Sequence, residues 1–299
     1  MPQLPLPLTI RWAAMLLFAG TLCGAAEPAV PLERLPLFTP AELKSWSTAE
    51  STVAVSTAHT RDATASLQWH VTVDYQTGEP KYPIGWPRVN RSLPVGAIRD
   101  WSAWDYLQCW VYVATNRDQL PALPAGLGLH TPDRANAFQR PLPELRAREW
   151  VQIRVPITQI PRAHDVRQIQ FHIAESNYRD GDSLDFHISD LALVRHASPT
   201  LLDFAPDSAV LFSDARRLPL SLQLAGVPAG ATTEVILELH AGTHPVLRTT
   251  ARAARGGQSF ALELPRGPLA AGDYEVRATL TGTASPRSAR IRVVDSPWR

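Results

Sequence analysis

The stretch Tyr106–Val113 constrains the fold more than any other part of this sequence. It is aromatic and β-branched and contains no Gly or Pro, which is typical of a β-strand. Successive side chains of a strand point to opposite faces. One face would therefore be aliphatic and pack in a core, and the other would carry Gln108, Trp110 and Tyr112. This pattern favours a strand whose second face is available for contacts outside the core.

Similar patterns recur along the first two thirds of the chain and predict an all-β protein. The expected strands are 53–56, 66–73, 89–93, 106–113, 126–131, 150–157, 168–175 and 183–195. One short helix is expected at 39–46, because Thr39 can cap it, Pro40 suits its first position and Glu42 its third.

The composition changes after His196. Residues 199–299 contain one Trp and one Tyr, and Gly or Pro turns separate most of the short strands expected there. These strands are 200–205, 218–225, 234–241, 246–253, 259–264, 274–281 and 289–294. Seven strands in about a hundred residues match an immunoglobulin-like sandwich. Leu269–Val276 resembles the turn and the Tyr that begin a late strand of such domains.

The N-terminus predicts secretion, with a secreted or periplasmic location. Arg11 precedes an apolar run over 12–22, and Gly24-Ala25-Ala26 offers small residues for cleavage, so residues 1–26 are expected to be a signal peptide. A membrane anchor is the alternative, although the run is short for a span. Residues 27–36 are Pro-rich and expected to be an extended lead-in. Cleavage would leave Cys109 as the sole cysteine, which excludes an intramolecular disulfide.

Residues 37–196 resemble the galactose-binding-like jelly roll of many carbohydrate-binding modules. The resemblance is carried by the order of Trp101–Leu107, Glu149–Ile157 and Leu184–Leu193. It implies an eight-strand jelly-roll sandwich, followed here by the seven-strand immunoglobulin-like sandwich of 199–299. Such pairs of modules often precede the catalytic barrel of bacterial glycoside hydrolases, and this sequence contains no such barrel. Jelly rolls of this kind often hold a structural Ca²⁺, for which no ligands can be assigned.

The usual jelly-roll order implies that strands 66–73, 168–175, 106–113 and 126–131 are neighbours in one sheet. Their outward side chains would form a single face. These residues are His70, Gln170, His172, Trp110, Tyr112 and His130. Aromatic rings beside neutral hydrogen-bonding groups suit a sugar. Alternatively, the face is covered by the 75–95 loop, the lead-in or the second sandwich. Asp185 and His187 would be ordinary solvated surface on the other sheet.

The loop 82–88 is a second candidate binding site. Pro83 and Pro87 fix its backbone, and it presents Tyr82, Trp86 and Arg88 at low entropic cost. The alternative role of this loop is to plug one end of the sandwich.

The sequence contains no nucleophile elbow, Walker loop, dinucleotide fingerprint or paired-His zinc helix. A formal net charge of +1 favours neither nucleic acid nor an anionic membrane as a partner. We therefore expect a secreted, non-catalytic protein that binds a poly- or oligosaccharide, alone or beside a catalytic partner protein. The alternatives are an assembly or accessory module of a glycan-degrading system, and a glycoside hydrolase with an unrecognised site.

Overall fold

A computed structural model of the protein describes residues 31–61, 64–76, 84–283 and 286–297. The expected signal peptide and residues 27–30 of the expected lead-in lie outside these residues. The described part is all-β, apart from short 3₁₀ helices. None of these helices is long and apolar enough to cross a membrane.

The helix predicted near residue 40 is present as a 3₁₀ helix over Pro40–Ser45. Its capping arrangement is the predicted one, because the Glu42 carboxylate accepts from the N–H and the hydroxyl of Thr39 at 3.1 and 2.9 Å. The same carboxylate accepts from Arg91 Nη2 at 2.9 Å. The cap therefore also ties the start of the chain to a strand of the sandwich.

Eleven strands of the described chain build the first sandwich. They are β1 (Leu32–Pro36), β2 (Trp46–Ala49), β3 (Thr52–Ser56), β4 (Ser66–Thr72), β5 (Arg88–Ser92), β6 (Tyr106–Thr115), β7 (Gly126–Thr131), β8 (Arg134–Pro141), β9 (Trp150–Pro156), β10 (Gln168–His172) and β11 (Ser183–His196). A six-stranded sheet has the order β3-β4-β11-β6-β9, with β1 beside β11. A five-stranded sheet has the order β2-β5-β10-β7-β8.

Period-two alternation explains how the two sheets pack, because the apolar side chains of each strand fall on one face. Trp69 of β4 and Phe186 of β11 are almost fully buried and stack with ring centroids 4.8 Å apart. Cys109 is buried in the same core, as its place on the aliphatic face of β6 predicts.

Eight strands of the described chain build a second sandwich with a separate hydrophobic core. They are β12 (Thr200–Pro206), β13 (Val210–Phe212), β14 (Arg217–Ala225), β15 (Thr233–Ala241), β16 (His244–Ala253), β17 (Gly256–Glu263), β18 (Gly272–Leu280) and β19 (Arg287–Val294). One sheet has the order β12-β14-β17 and the other β13-β19-β18-β15-β16. The pairs are antiparallel except β13 with β19, which is parallel.

The expected extended lead-in over 27–36 contains a strand in its described part. Residues 32–36 form β1, which pairs with the end of β11 from Leu32 opposite His196 to Pro36 opposite Ala192. Strands β2, β8 and β13 were also not expected. All four contain Pro or few alternating apolar residues, and neighbouring strands supply the hydrogen bonds that stabilise them.

Asp105 joins the two sandwiches. Its side chain is 3% exposed. One carboxylate oxygen accepts from the N–H of His196 at 2.8 Å, and both oxygens accept from the N–H of Gly226 at 3.0 Å. Arg255 of the second sandwich also donates to the carbonyl of Ser102 in the first. These bonds connect the end of the first sandwich to the turn after β14.

Candidate functional site

The expectation that six candidate residues share one face is wrong. His70, Trp110 and Tyr112 lie on the six-stranded sheet, whereas His130, Gln170 and His172 lie on the five-stranded sheet. The reason is topological, because β4 and β6 both pair with β11 and not with β7 or β10. Alternation showed which side chains share a face of each strand, but not which strands are neighbours.

The outer face of the six-stranded sheet is covered at its aromatic centre. The His59 ring stacks on Tyr112 with centroids 4.5 Å apart, and the Arg61 guanidinium lies 4.0 Å from the centroid of Trp110. The covering segment follows β3, so it is none of the three segments expected in that role. This arrangement leaves Trp110 and Tyr112 half-buried as supports for the protein's own side chains.

Asp185 and His187 lie on this same outer face, which corrects their predicted place on the other sheet. Asp185 is directly opposite His70, and its Oδ1 lies 3.0 Å from His70 Nδ1. His187 is buried next to His59. Burial and the nearby His59 lower the pKa of His187 to about 4. These residues therefore form a packed polar cluster and not solvated surface.

The outer face of the five-stranded sheet is polar. On β7 it has two glycines, Gly126 and Gly128, in place of larger side chains, and we call this pair the glycine floor. In the register of the sheet, Asn90 is opposite Gln170, which is opposite Gly128. Gln170 Nε2 donates to Asn90 Oδ1 at 2.8 Å. Two residues farther along β10, His172 lies opposite Gly126. A Cβ atom on Gly126 would come within 2.5 Å of His172 Nε2, so the missing side chain is what lets the imidazole lie on β7.

Trp86 lies beside His172 at one end of this face. Trp86 is 52% exposed, and the centroid of its ring is 5.7 Å from that of His172. Two carboxylates hold the backbone of its loop: Glu175 Oε2 accepts from the N–H of Gly85 and Glu50 Oε2 from the N–H of Trp86, both at 2.6 Å. The expectation that this loop presents Trp86 is therefore supported by exposure and by anchoring. Tyr82, predicted on the same loop, lies outside the described residues.

A cavity of about 210 Å³ opens between Trp86 and the edge of the sheet. We call it the Trp86 pocket. Its lining includes Trp86, Leu123, Gly126, Gln139, His172 and Asn177. Leu123 is 52% exposed, like Trp86, so two apolar side chains border the opening. The volume is below the range of about 300–1,000 Å³ found for drug-sized ligands, which suits one ring of a larger molecule.

Burial favours the neutral form of the imidazoles on this face. Burial lowers the pKa of both His130 and His172 below the usual value, and nearby Asn136 only partly opposes the shift at His130. A neutral imidazole has one donor and one acceptor nitrogen. His172 Nδ1 is buried and has no hydrogen-bond partner in the described part of the chain. Because Nδ1 is buried, a ligand would reach this imidazole through Nε2, which lies over Gly126.

Arg88 lies directly opposite His172 on the neighbouring strand β5. Its guanidinium donates to the carbonyl of Trp86 at 3.4 Å. The structure thus brings together Trp86, Arg88, Gln170 and His172, with His130 farther along the same face. Within the described ranges, no group of three or more His, Cys, Asp or Glu side chains could hold a metal ion.

Sequence reasoning missed the glycines under this site and the carboxylates that hold the Trp86 loop. Gly126 and Gly128 occupy the outward positions of β7, and the pattern Gly126-Leu127-Gly128-Leu129-His130 could have indicated a strand with an open outer face. Glu50 and Glu175 gave no sequence signal, because their partners are backbone groups of a distant loop.

No protein-family model matches the sequence, and a search of curated proteins found no relative. Among solved structures, the chain is similar to a β-1,2-glucanase from Parabacteroides distasonis, with a TM-score of 0.39 and 12% identity over 84% of this chain. It is also similar to the glycoside hydrolase domain of Endo-D from Streptococcus pneumoniae R6, with a TM-score of 0.30 and 10% identity over 83% of this chain. The chain spans 37% of the length of each hydrolase.

A third similar structure covers a smaller part of the chain. A carbohydrate-binding module described for specific mannan recognition, TmCBM27, matches with a TM-score of 0.31 and 14% identity. This match covers 54% of the present chain and 95% of the module. All three TM-scores are below 0.5. The structural neighbours of this all-β chain include carbohydrate-binding modules and glycoside hydrolases.

Proposed function

We propose that this protein binds carbohydrate without cleaving it, and that a sugar ring stacks on Trp86 at the end of the five-stranded sheet. The observation that carries the proposal is the half-exposed ring of Trp86, held by two carboxylate-to-backbone bonds beside a pocket of one-ring size. A rigid aromatic plate loses little entropy when a ligand binds. It therefore suits the apolar face of a sugar.

The polar residues next to Trp86 support the same ligand chemistry. Neutral His172 offers hydrogen-bonding groups, and the exposed amide of Gln139 can both donate and accept. Sugar hydroxyls need partners of both kinds. We therefore place Trp86, Arg88, Gln170 and His172 in the proposed site, with His130 at its far end.

We give Trp110, Tyr112 and His70 no part in the primary site. Binding on their face would require displacing the stacked His59 and the Arg61 guanidinium. The position of Tyr82 in the sequence, four residues before Trp86, keeps it among the proposed ligand residues.

We further propose that the chain is secreted after removal of residues 1–26, and that the second sandwich is immunoglobulin-like and acts as a spacer or docking domain. Two features support the second proposal. The Tyr274 hydroxyl donates to the carbonyl of Ala270 at 3.0 Å near the start of β18, as in a tyrosine corner. The short β13 pairs in parallel with the last strand, while β12 joins the opposite sheet.

Affinity electrophoresis against plant, algal and bacterial polysaccharides tests the carbohydrate proposal. We expect the wild-type protein to bind at least one glycan with a Kd on the order of 10–1,000 μM. Trp86→Ala should weaken this binding at least about 10-fold, because it removes the central anchor. The matched control is Phe212→Ala, which removes a 46% exposed ring from the second sandwich and should leave binding unchanged.

Other outcomes would redirect or reject the proposal. Loss of binding in Trp110→Ala, with Trp86→Ala unaffected, would place the site on the six-stranded sheet. A wild-type protein that binds no glycan but self-associates in sedimentation experiments would favour the assembly interpretation. Release of reducing sugar from any glycan of the panel would favour the hydrolase.

A further inference from the structure

We infer that the sugar bound at the Trp86 pocket is a uronate, and that its carboxylate pairs with Arg88. This inference rests on the proposed carbohydrate-binding function and names the ligand class. Its first support is the charge of the five-stranded sheet. Its strands contain no Asp or Glu, whereas they contain four Arg residues, Arg88, Arg91, Arg134 and Arg140. Only Arg88 of these lies on the outer face beside His172, since Arg91 is buried and Arg140 is opposite the buried Leu127.

Two of these Arg residues are already paired with carboxylates. Arg91 is buried and donates to Glu42 Oε1 at 2.9 Å. Arg140 donates to Glu144 Oε1 at 2.6 Å. Both guanidinium groups therefore already have a counter-ion within the first sandwich.

Arg88 is different. Among the residues that the structure describes, none places a carboxylate oxygen within 4.0 Å of its guanidinium. Its hydrogen bond to the Trp86 carbonyl is long, at 3.4 Å. Arg88 is partly exposed, so a ligand can reach its guanidinium. A ligand carboxylate would provide a counter-ion for it.

The position of Arg88 suits such a ligand. Arg88 and His172 are directly opposite each other on β5 and β10, so their Cβ atoms lie about 4.5–5.5 Å apart. Trp86 precedes Arg88 by two residues, and its ring lies beside the ring of His172. Arg88 does not line the Trp86 pocket itself but lies across His172 from it, so the carboxylate of a uronate stacked on Trp86 would extend past His172 to meet the guanidinium. The planar fork of Arg matches a carboxylate with two parallel hydrogen bonds.

Two carboxylates near the loop do not cancel this charge by pairing with it. Glu50 and Glu175 direct their Oε2 atoms to the N–H groups of Trp86 and Gly85. Neither forms an ion pair with Arg88. Arg134 also has no carboxylate partner in the described ranges, but it begins β8 opposite Thr131, at the end of the sheet far from Trp86. It therefore provides a matched control for a change of charge.

The test compares uronate polysaccharides with their own neutral forms. Polygalacturonate, alginate and a glucuronan are each used beside a carboxyl-reduced counterpart, which keeps the backbone and removes the charge. We expect full-length wild-type protein to prefer the uronate form of at least one pair, with weaker binding at high salt. Arg88→Gln should weaken that binding about 10- to 100-fold, while Arg134→Gln should not change it. Arg88→Lys should lie between, because it keeps the charge and loses the fork.

The outcomes separate this inference from the proposed function. Equal binding of the charged and reduced forms, with both lost in Trp86→Ala, would overturn the uronate assignment and leave the proposed function standing. Binding of a sulfated glycan but of no uronate would overturn it as well. Failure to bind any glycan, charged or neutral, would reject the proposed function itself. Thermal unfolding of each variant shows whether a loss of binding reflects a loss of fold.

Discussion

Replacing Asp105 by Ala should separate the stability of the two sandwiches. The Asp105 carboxylate accepts from the N–H groups of His196 and Gly226, and its Oδ2 lies 3.2 Å from His196 Nδ1. Each buried donor left without a partner costs about 1–3 kcal/mol. The two backbone donors therefore predict a loss of about 2–6 kcal/mol in the free energy of unfolding. At about 2–4 °C per kcal/mol, that loss lowers the melting temperature by roughly 4–24 °C.

The same bond predicts a pH dependence. Burial alone would raise the pKa of Asp105, but the hydrogen bonds from His196 and Gly226 outweigh burial and hold the pKa below its ordinary value. A carboxylate with a lowered folded pKa stabilises the fold fully above the unfolded value of about 3.9. This stabilisation is lost as the pH falls through the folded pKa. The difference between wild type and Asp105→Ala should thus be constant near neutral pH and shrink below about pH 4.

Differential scanning calorimetry measures both quantities. The control is Asp100→Ala, which removes an exposed carboxylate from the same sandwich that accepts only from nearby Ser102 in the described chain. It should change the free energy of unfolding by less than about 0.5 kcal/mol. An Asp105→Ala protein that melts at the wild-type temperature would refute the reasoning. A destabilisation that persists unchanged at pH 3 would refute the role assigned to the charge.

Three further predictions follow from other buried groups. Gly126→Ala should keep the fold but weaken glycan binding, because its Cβ would displace the ring of His172; an unchanged affinity in the electrophoretic assay would contradict this reading of the glycine floor. Burial raises the pKa of Cys109 to about 12, so a Cys23→Ser protein should react with Ellman's reagent only after unfolding. Since the folded pKa of His187 lies near 4, below the unfolded value of about 6.5, the unfolded chain binds more protons between these values. Stability to urea should therefore fall as the pH drops through this range, and His187→Gln should show a smaller fall.

The sequence predicted single strands better than their arrangement. Tyr106–Val113 was expected as a strand with Cys109 and Val111 inward, and both residues are buried in the core. Alternation comes from backbone geometry, which acts within one strand. Which strands become neighbours depends on long-range pairing. The pattern therefore could not show that β4 pairs with β11, or that Tyr112 and His172 lie on different sheets.

Only the parts of the candidate site that contain distinctive residue types, such as Trp and Pro, were predictable from the sequence. The Pro-flanked segment around Trp86 identified an aromatic loop, because Pro and Trp are conspicuous in sequence. The cover on Trp110 was not predictable, because Arg61 reaches it from a loop with no periodicity. Edge strand β8 was missed for a related reason: Arg134–Pro141 is mostly polar, and pairing with β7 determines its conformation.

The way the Trp86 loop is held affects which of its residues could change between related proteins. Glu50 and Glu175 bind main-chain N–H groups, so the shape of the loop is independent of the side chains at positions 86 and 88. Substitutions at those two positions can then alter ligand preference while the frame beneath stays intact. Changes at Glu175, which is 3% exposed, would instead disturb every ligand preference at once. Related chains should therefore vary at the loop tip and keep an acidic residue at its base.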